Sequence, residues 1–244
     1  MSAAVETVEL VGEDGLRLVA DVHGPAGGPP ALLLIALCDA LEDRPLVIGA
    51  SMGGAGALVA QGTVERQLFR GLVLVDITPD IDMEGGKRII AFMAANPDGY
   101  ASLDEAAEAI GGYRGGHGRP SPAGLARVLR QGDDGRWRWH WDPRILDARK
   151  VWLEDPASAV QYAAEMRAGM AAGADRLTAP ALLVRGGSSD VVTLEAAQAL
   201  LRMIPNARFV DVADATHMVA GDRNDAFTTA VLDFAAPLLA PDGD

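Results

Sequence analysis

The sequence predicts an α/β fold class: a mostly parallel sheet flanked by helices and interrupted by a long helical insertion. Three observations predict it. Short continuous apolar runs, ALLLI at 31–35, PLVIG at 45–49, LVLVD at 72–76 and ALLVR at 181–185, suit strands buried on both faces of a parallel sheet. Helical patterns lie between and after these runs, and strands alternating with helices build such sheets. The stretch 80–176 breaks the rhythm, with several amphipathic segments and no buried strand.

Taken in order, VETVELV at 5–11 and LRLVADV at 16–22 are β-rich and separated by Glu13-Asp14-Gly15, so they read as an antiparallel hairpin. The Pro- and Gly-rich segment 25–30 ends it. After the runs at 31–35 and 45–49, the Ala- and Gly-rich segment Met52 to Ala60 reads as a helix, followed by the run at 72–76. The insertion 80–176 carries amphipathic stretches at 103–110, 122–129 and 158–170, and it holds Trp137, Trp139, Trp141 and Trp152, which read as packing residues of that insertion. Beyond the run at 181–185, Leu194, Ala197, Leu201 and Ile204 recur at helical spacing behind Thr193, a good N-cap. ARFVDV at 207–212 is the last strand, and a helix over 224–239 follows. The core is thus expected at 1–79 and 177–244, with a helical cap inserted at 80–176.

Composition narrows the function. A net charge of −13 opposes phosphate-backbone binding, so nucleic acid is not an expected partner. The longest apolar run, Ala31 to Cys38, is far below the ~20 residues of a membrane span, so no membrane partner is expected either. Glu6, Glu9, Glu13 and Asp14 stand where a signal peptide would need a basic start and an apolar stretch, which gives a cytoplasmic location as the expectation. Cys38 is the single cysteine and excludes an internal disulfide. No His, Cys and Asp cluster has metal-ligand spacing, and neither a metal nor another cofactor is implied. The expected partner is a small-molecule substrate. Self-association into a homo-oligomer is left open.

Gly49-Ala50-Ser51-Met52-Gly53 has the form G-x-S-x-G. In a chain with 28 glycines the pattern alone is weak, but here an apolar strand precedes it and a helix follows, the setting of a nucleophile elbow. A neutral serine needs a base to take its proton and a carboxylate to hold that base in one tautomer. Asp190 follows the run at 181–185, and His217 follows the strand at 207–212. Asp76, at the end of LVLVD, is the rival acid; Asp190 is preferred because Asp76-Ile77-Thr78-Pro79 reads equally well as a turn leaving the sheet. Each residue also has a plainer reading: Ser51 as a small residue in a tight turn, Asp190 as a helix cap, His217 as a core or capping histidine.

GASMGG after a strand, then LLVRGGSSDVV, then FVDVADATHMV resemble three landmarks of the α/β-hydrolase family, in particular its capped serine-hydrolase branch, which includes esterases and relatives of epoxide hydrolases. The resemblance implies a catalytic triad of Ser51, Asp190 and His217, with the Met52 amide as one oxyanion-hole donor. It implies a hydrolase acting on an ester, thioester, lactone or similar carbonyl substrate through an acyl-enzyme. Epoxide hydrolases use an aspartate nucleophile, and Ser51 argues against that chemistry. The chain departs from the family between the run at 31–35 and the elbow strand, where only Ala36 to Arg44 stand in place of an oxyanion loop beginning His-Gly and most of a βα unit. That departure predicts weakened catalysis. The alternative it opens is an impaired relative that binds a small ligand without turning it over.

Overall fold

The computed structural model describes residues 43–115, 118–140, 146 and 155–240, together with the backbone of the strands at 4–11, 17–24 and 31–32. The fold divides into two compact units, 1–81 with 165–244, and 82–164. The sequence reading placed the second junction at 176/177; the division falls instead within a helix that runs on through 176.

In the first unit, β1 (Ala4–Val11) pairs antiparallel with β2 (Arg17–Gly24), from Ala4 against Gly24 to Val11 against Arg17. This hairpin forms a sheet of its own. The second sheet has five parallel strands in the order β3-β4-β5-β8-β9: β3 (Ala31–Leu32), β4 (Leu46–Ala50), β5 (Gly71–Val75), β8 (Ala181–Gly186) and β9 (Ala207–Val212). Each apolar run from the sequence falls on one of the strands. β5 and β8 are buried along their whole length, as expected of inner strands covered on both faces. The expected strand at 31–35 is described only at 31–32, and it pairs directly with β4, Ala31 against Leu46 and Leu32 against Val47. Residues 36–42, with Cys38 and most of the segment thought to lack a βα unit, lie outside the described residues.

One face of the sheet packs Leu46, Val73, Val75, Leu182 and Val184 with Val231, Phe234 and Ala235 of the final helix. α1 (Met52–Thr63) carries the chain from β4 to β5, and Ala57 and Leu58 on it are fully buried. The C-terminal half of the long helix Pro156–Arg176 leads into β8, and it approaches α1 so closely that a side chain on Gly173 would fall 1.7 Å from the Leu58 carbonyl oxygen.

The second unit is not purely helical. It contains α2 (Met83–Ala94), α3 (Leu103–Tyr113), α4 (Pro122–Leu125) and the N-terminal part of α5 (Pro156–Arg176), but also a small hairpin, β6 (Leu129–Gln131) against β7 (Trp137–Trp139). The helix expected over 122–129 stops at Leu125 because the chain turns there into β6, and Gly135, at φ +76°, closes the hairpin turn. α3 opens with Ser102 accepting the Glu105 amide while the Glu105 carboxylate takes the Ala101 amide, a reciprocal cap. Tyr100, Ala106, Ala107, Ile110, Leu125 and Leu129 form the core of this unit, with Trp137 and Trp139 packed against it. These two tryptophans are therefore packing residues; Trp141 and Trp152 lie outside the described residues. In the first unit, α6 (Leu194–Met203) starts behind Thr193, whose hydroxyl accepts the Ala196 amide as expected, and α7 (Val219–Asp222) and α8 (Asn224–Leu239) complete the fold.

Candidate active site

The parallel register sets the positions of the candidate groups before any side chain is considered. Ala50 of β4 pairs with Val75 of β5, and Val75 with Val184 of β8, so Ser51 and Asp76 follow directly at the carboxyl ends of neighbouring strands. Both continue the ladder: the Ser51 amide donates to the Val75 carbonyl at 2.9 Å and the Asp76 amide to the Val184 carbonyl at 2.8 Å. Carboxyl ends of parallel strands are where open α/β sheets place their ligands.

Ser51 has φ +47° and ψ −115°, a conformation unfavourable for any residue with a Cβ, between the last residue of β4 and the first of α1. The turn is possible because strand and helix touch through glycine: a Cβ on Gly49 would lie 2.5 Å from the Gly54 amide nitrogen, and one on Gly54 would lie 2.6 Å from Ile77. Gly53, the final glycine of the G-x-S-x-G pattern, has open space around it. The sharp strand-to-helix turn therefore depends on Gly49 and Gly54. Met52 is the first residue of α1, at the positive end of the helix dipole.

The histidine loop is anchored from both sides. Asp222 Oδ2 accepts the Thr216 amide at 2.8 Å and the Thr216 hydroxyl, fixing the residue before His217. The Gly187 and Ser188 amides donate to the Val212 and Ala215 carbonyls, tying the loop after β8 to the loop after β9. Gly186 lies between them, where a Cβ would come within 2.2 Å of the Thr216 carbonyl oxygen.

A family model described as "Alpha/beta hydrolase family" matches residues 13–230. The chain belongs to the alpha/beta hydrolase family. As a member of it, the protein is an enzyme of hydrolytic chemistry. Solved structures share the fold of this α/β hydrolase across nearly the whole chain. It is similar to an α/β hydrolase from Novosphingobium aromaticivorans at 16% identity and TM-score 0.67, over 98% of this chain and 99% of that one. It is also similar to an esterase from Mycobacterium tuberculosis at 22% identity and TM-score 0.63, over 96% and 92%. E-2-(acetamidomethylene)succinate hydrolase matches at 20% identity and TM-score 0.63, over 92% and 83%. Comparison with curated protein sequences gives no match.

In this α/β hydrolase His217 is paired with Asp76, which corrects the expected pairing with Asp190. His217 Nδ1 lies 2.7 Å from Asp76 Oδ2, and Asp76 is wholly inaccessible to solvent. Asp76 also accepts the Gly186 amide on Oδ1 at 2.9 Å and the Ser189 hydroxyl on Oδ2. Asp190 is exposed. The physical reason lies in the loop after β8: the Ser189 amide donates back to the Gly186 carbonyl at 2.9 Å, and this tight turn brings Ser189 to Asp76 with Asp190 left at the surface. Asp76 needs no loop at all, because it ends the strand next to Ser51. Its φ of +49° is unusual for a non-glycine residue, a second backbone outlier one strand away from Ser51.

Sequence reasoning missed Gly186, Ser189, Asp222 and Arg185 as supports of the site. Arg185 is buried and runs its guanidinium to the Val192 carbonyl at 2.7 Å and to Asp211 at 2.9 Å, closing the loop that carries Ser189. A charged residue inside an otherwise apolar inner strand was the available signal for Arg185. Among the described residues, no group of three or more His, Cys, Asp or Glu could hold a metal, and no helix is long and apolar enough to cross a membrane.

Proposed function

We propose that this enzyme is a serine hydrolase that cleaves an ester, thioester, lactone or similar carbonyl substrate through an acyl-enzyme, with Ser51 as nucleophile, His217 as base and Asp76 as acid. The observation that carries the reading is the His217–Asp76 pair at 2.7 Å beside a serine held at φ +47° on the neighbouring strand end. Gly186 and Ser189 both present hydrogens to Asp76, so its carboxyl acts as acceptor and His217 holds its proton on Nδ1. The Nε2 lone pair is then available to take the Ser51 proton as Oγ attacks the carbonyl carbon. The resulting imidazolium, stabilised by Asp76, returns that proton to the leaving group. Water, deprotonated by the same Nε2, releases the acyl group from Ser51. The Met52 amide, at the start of α1, is assigned as one donor to the oxyanion.

A fluorophosphonate probe tests the mechanism directly, because it reacts only with an activated serine. Stoichiometric labelling of the native chain, mapped to Ser51 and lost in Ser51→Ala, is the expected result. Labelling elsewhere, or none, would exclude the serine mechanism.

A further inference from the structure

The Ser189 hydroxyl is hydrogen-bonded in a way that leaves it one role. Its Oγ accepts the Val191 amide at 3.1 Å and the Val192 amide at 3.2 Å, and it lies 2.5 Å from Asp76 Oδ2. A hydroxyl has one hydrogen and two lone pairs. Two amide donors occupy the lone pairs, so the hydrogen is directed at Asp76. His217 Nδ1 is on that same oxygen, Oδ2, while the Gly186 amide takes Oδ1. The carboxylate is therefore held by three donors, one of them supplied by a loop that Arg185 and two amide bonds to the 212–215 segment keep in place.

We propose that Ser189 is a positioning residue of the reaction: it fixes the Asp76 carboxylate and shares Oδ2 with His217, so that the imidazole is held in one orientation. The proposal rests on the reading of Asp76 as acid. It assigns to the loop after β8 a supporting hydroxyl one residue before Asp190. Removing the Ser189 hydroxyl takes one of the three donors from the carboxylate and leaves it free to change rotamer, so that Oδ2 no longer holds the imidazole in one orientation.

The experiment compares Ser189→Ala, Ser189→Thr, Asp76→Asn and the double variant Asp76→Asn with Ser189→Ala, using p-nitrophenyl acetate turnover and the proton resonance of His217 Nδ1. Hydrogen bonds to a charged group support a loss of about ten- to hundredfold in kcat for Ser189→Ala, with KM changed by less than about twofold. Ser189→Thr, which keeps the hydroxyl, should restore kcat to within about threefold. On the Asp76→Asn background, Ser189→Ala should cost nothing further, because the group it acts through is gone. The Nδ1 proton resonance of His217 should shift or broaden in Ser189→Ala and return to its native position in Ser189→Thr. Equal losses on both backgrounds, or an Nδ1 signal unchanged by Ser189→Ala, would overturn the proposal by making Ser189 a loop-capping residue only. If Asp76→Asn itself leaves kcat unchanged, the failure belongs to the acid assignment instead.

Discussion

A single hydrogen bond separates the two carboxylates that the sequence offers as the acid. Asp76 is buried, sits at a strand end beside Ser51 and touches His217; Asp190 is four residues past β8 and exposed. Asp76→Asn should therefore lower kcat by ~10⁴, the loss seen when a triad histidine is left without the partner that fixes its tautomer. Asp190→Asn should change kcat by less than about threefold. Steady-state kinetics on one ester decides between them, and reversed effects would return the acid to Asp190. The glycines of the elbow invite a second comparison at this scale. Gly53→Ala meets open space and should leave turnover and melting temperature close to the native values. Gly54→Ala drives a methyl into Ile77 and the Gly49 carbonyl, and overpacking of this kind costs about 1–3 kcal/mol. It should lower both, as a melting curve and an ester assay would report.

Among the elements, the contact between α1 and the C-terminal half of α5 holds the helix behind Ser51. Gly62, Gly169 and Gly173 let the two backbones meet: a Cβ at Gly62 would stand 2.9 Å from the Gly169 carbonyl oxygen, and one at Gly173 only 1.7 Å from that of Leu58. Arg176 then reaches across to the Gly62 carbonyl, and Gln67 receives the Thr178 amide at 2.9 Å. No side-chain rotation relieves a clash with backbone, so Gly173→Ala must push the helices apart. At 2–4 °C per kcal/mol for a chain of this size, the melting temperature should fall by roughly 5 °C or more. Turnover should fall with it, because α1 carries the Met52 amide. An unchanged melting curve would mean that the helices separate without cost. By contrast, Thr193→Ala removes one cap, worth ~1 kcal/mol, and should leave kcat alone.

For the whole molecule, the link between β3 and β4, residues 33–45, is the segment where the sequence reading expects a departure from the family pattern. β3 stands at the edge of the five-stranded sheet, and the β1–β2 hairpin forms a sheet of its own. We propose that this link lacks a βα unit of the family and that its loss weakens catalysis, since one lost oxyanion donor typically costs ~10² to 10³ in kcat. Inserting a βα unit with a His-Gly oxyanion loop between Ile35 and Ala36 should then raise both turnover and melting temperature. If the native chain already hydrolyses p-nitrophenyl acetate at ~1 to 10³ per second, the ordinary enzyme range, the donor is supplied elsewhere and the insertion should do nothing.

What the sequence determined by itself was whatever depends on local pattern. Apolar runs located β4, β5, β8 and β9, Thr193 marked the start of α6, and strand-GASMGG-helix located Ser51 at its strained turn, because each signal lies within a few neighbouring residues. The hairpin at 129–131 and 137–139 escaped, its strands being three residues long and only partly buried. Tertiary structure alone decided which carboxylate His217 meets. Asp76 and Asp190 both follow apolar strands and both precede a turn, and the sequence contains nothing about which way the loop at 186–189 folds. The register of β4, β5 and β8 puts Asp76 next to Ser51, and the turn closed by Ser189 to Gly186 brings a hydroxyl to Asp76 while Asp190 stays at the surface. His217 can serve only one carboxylate through Nδ1, and strand pairing across more than a hundred residues of chain chose it.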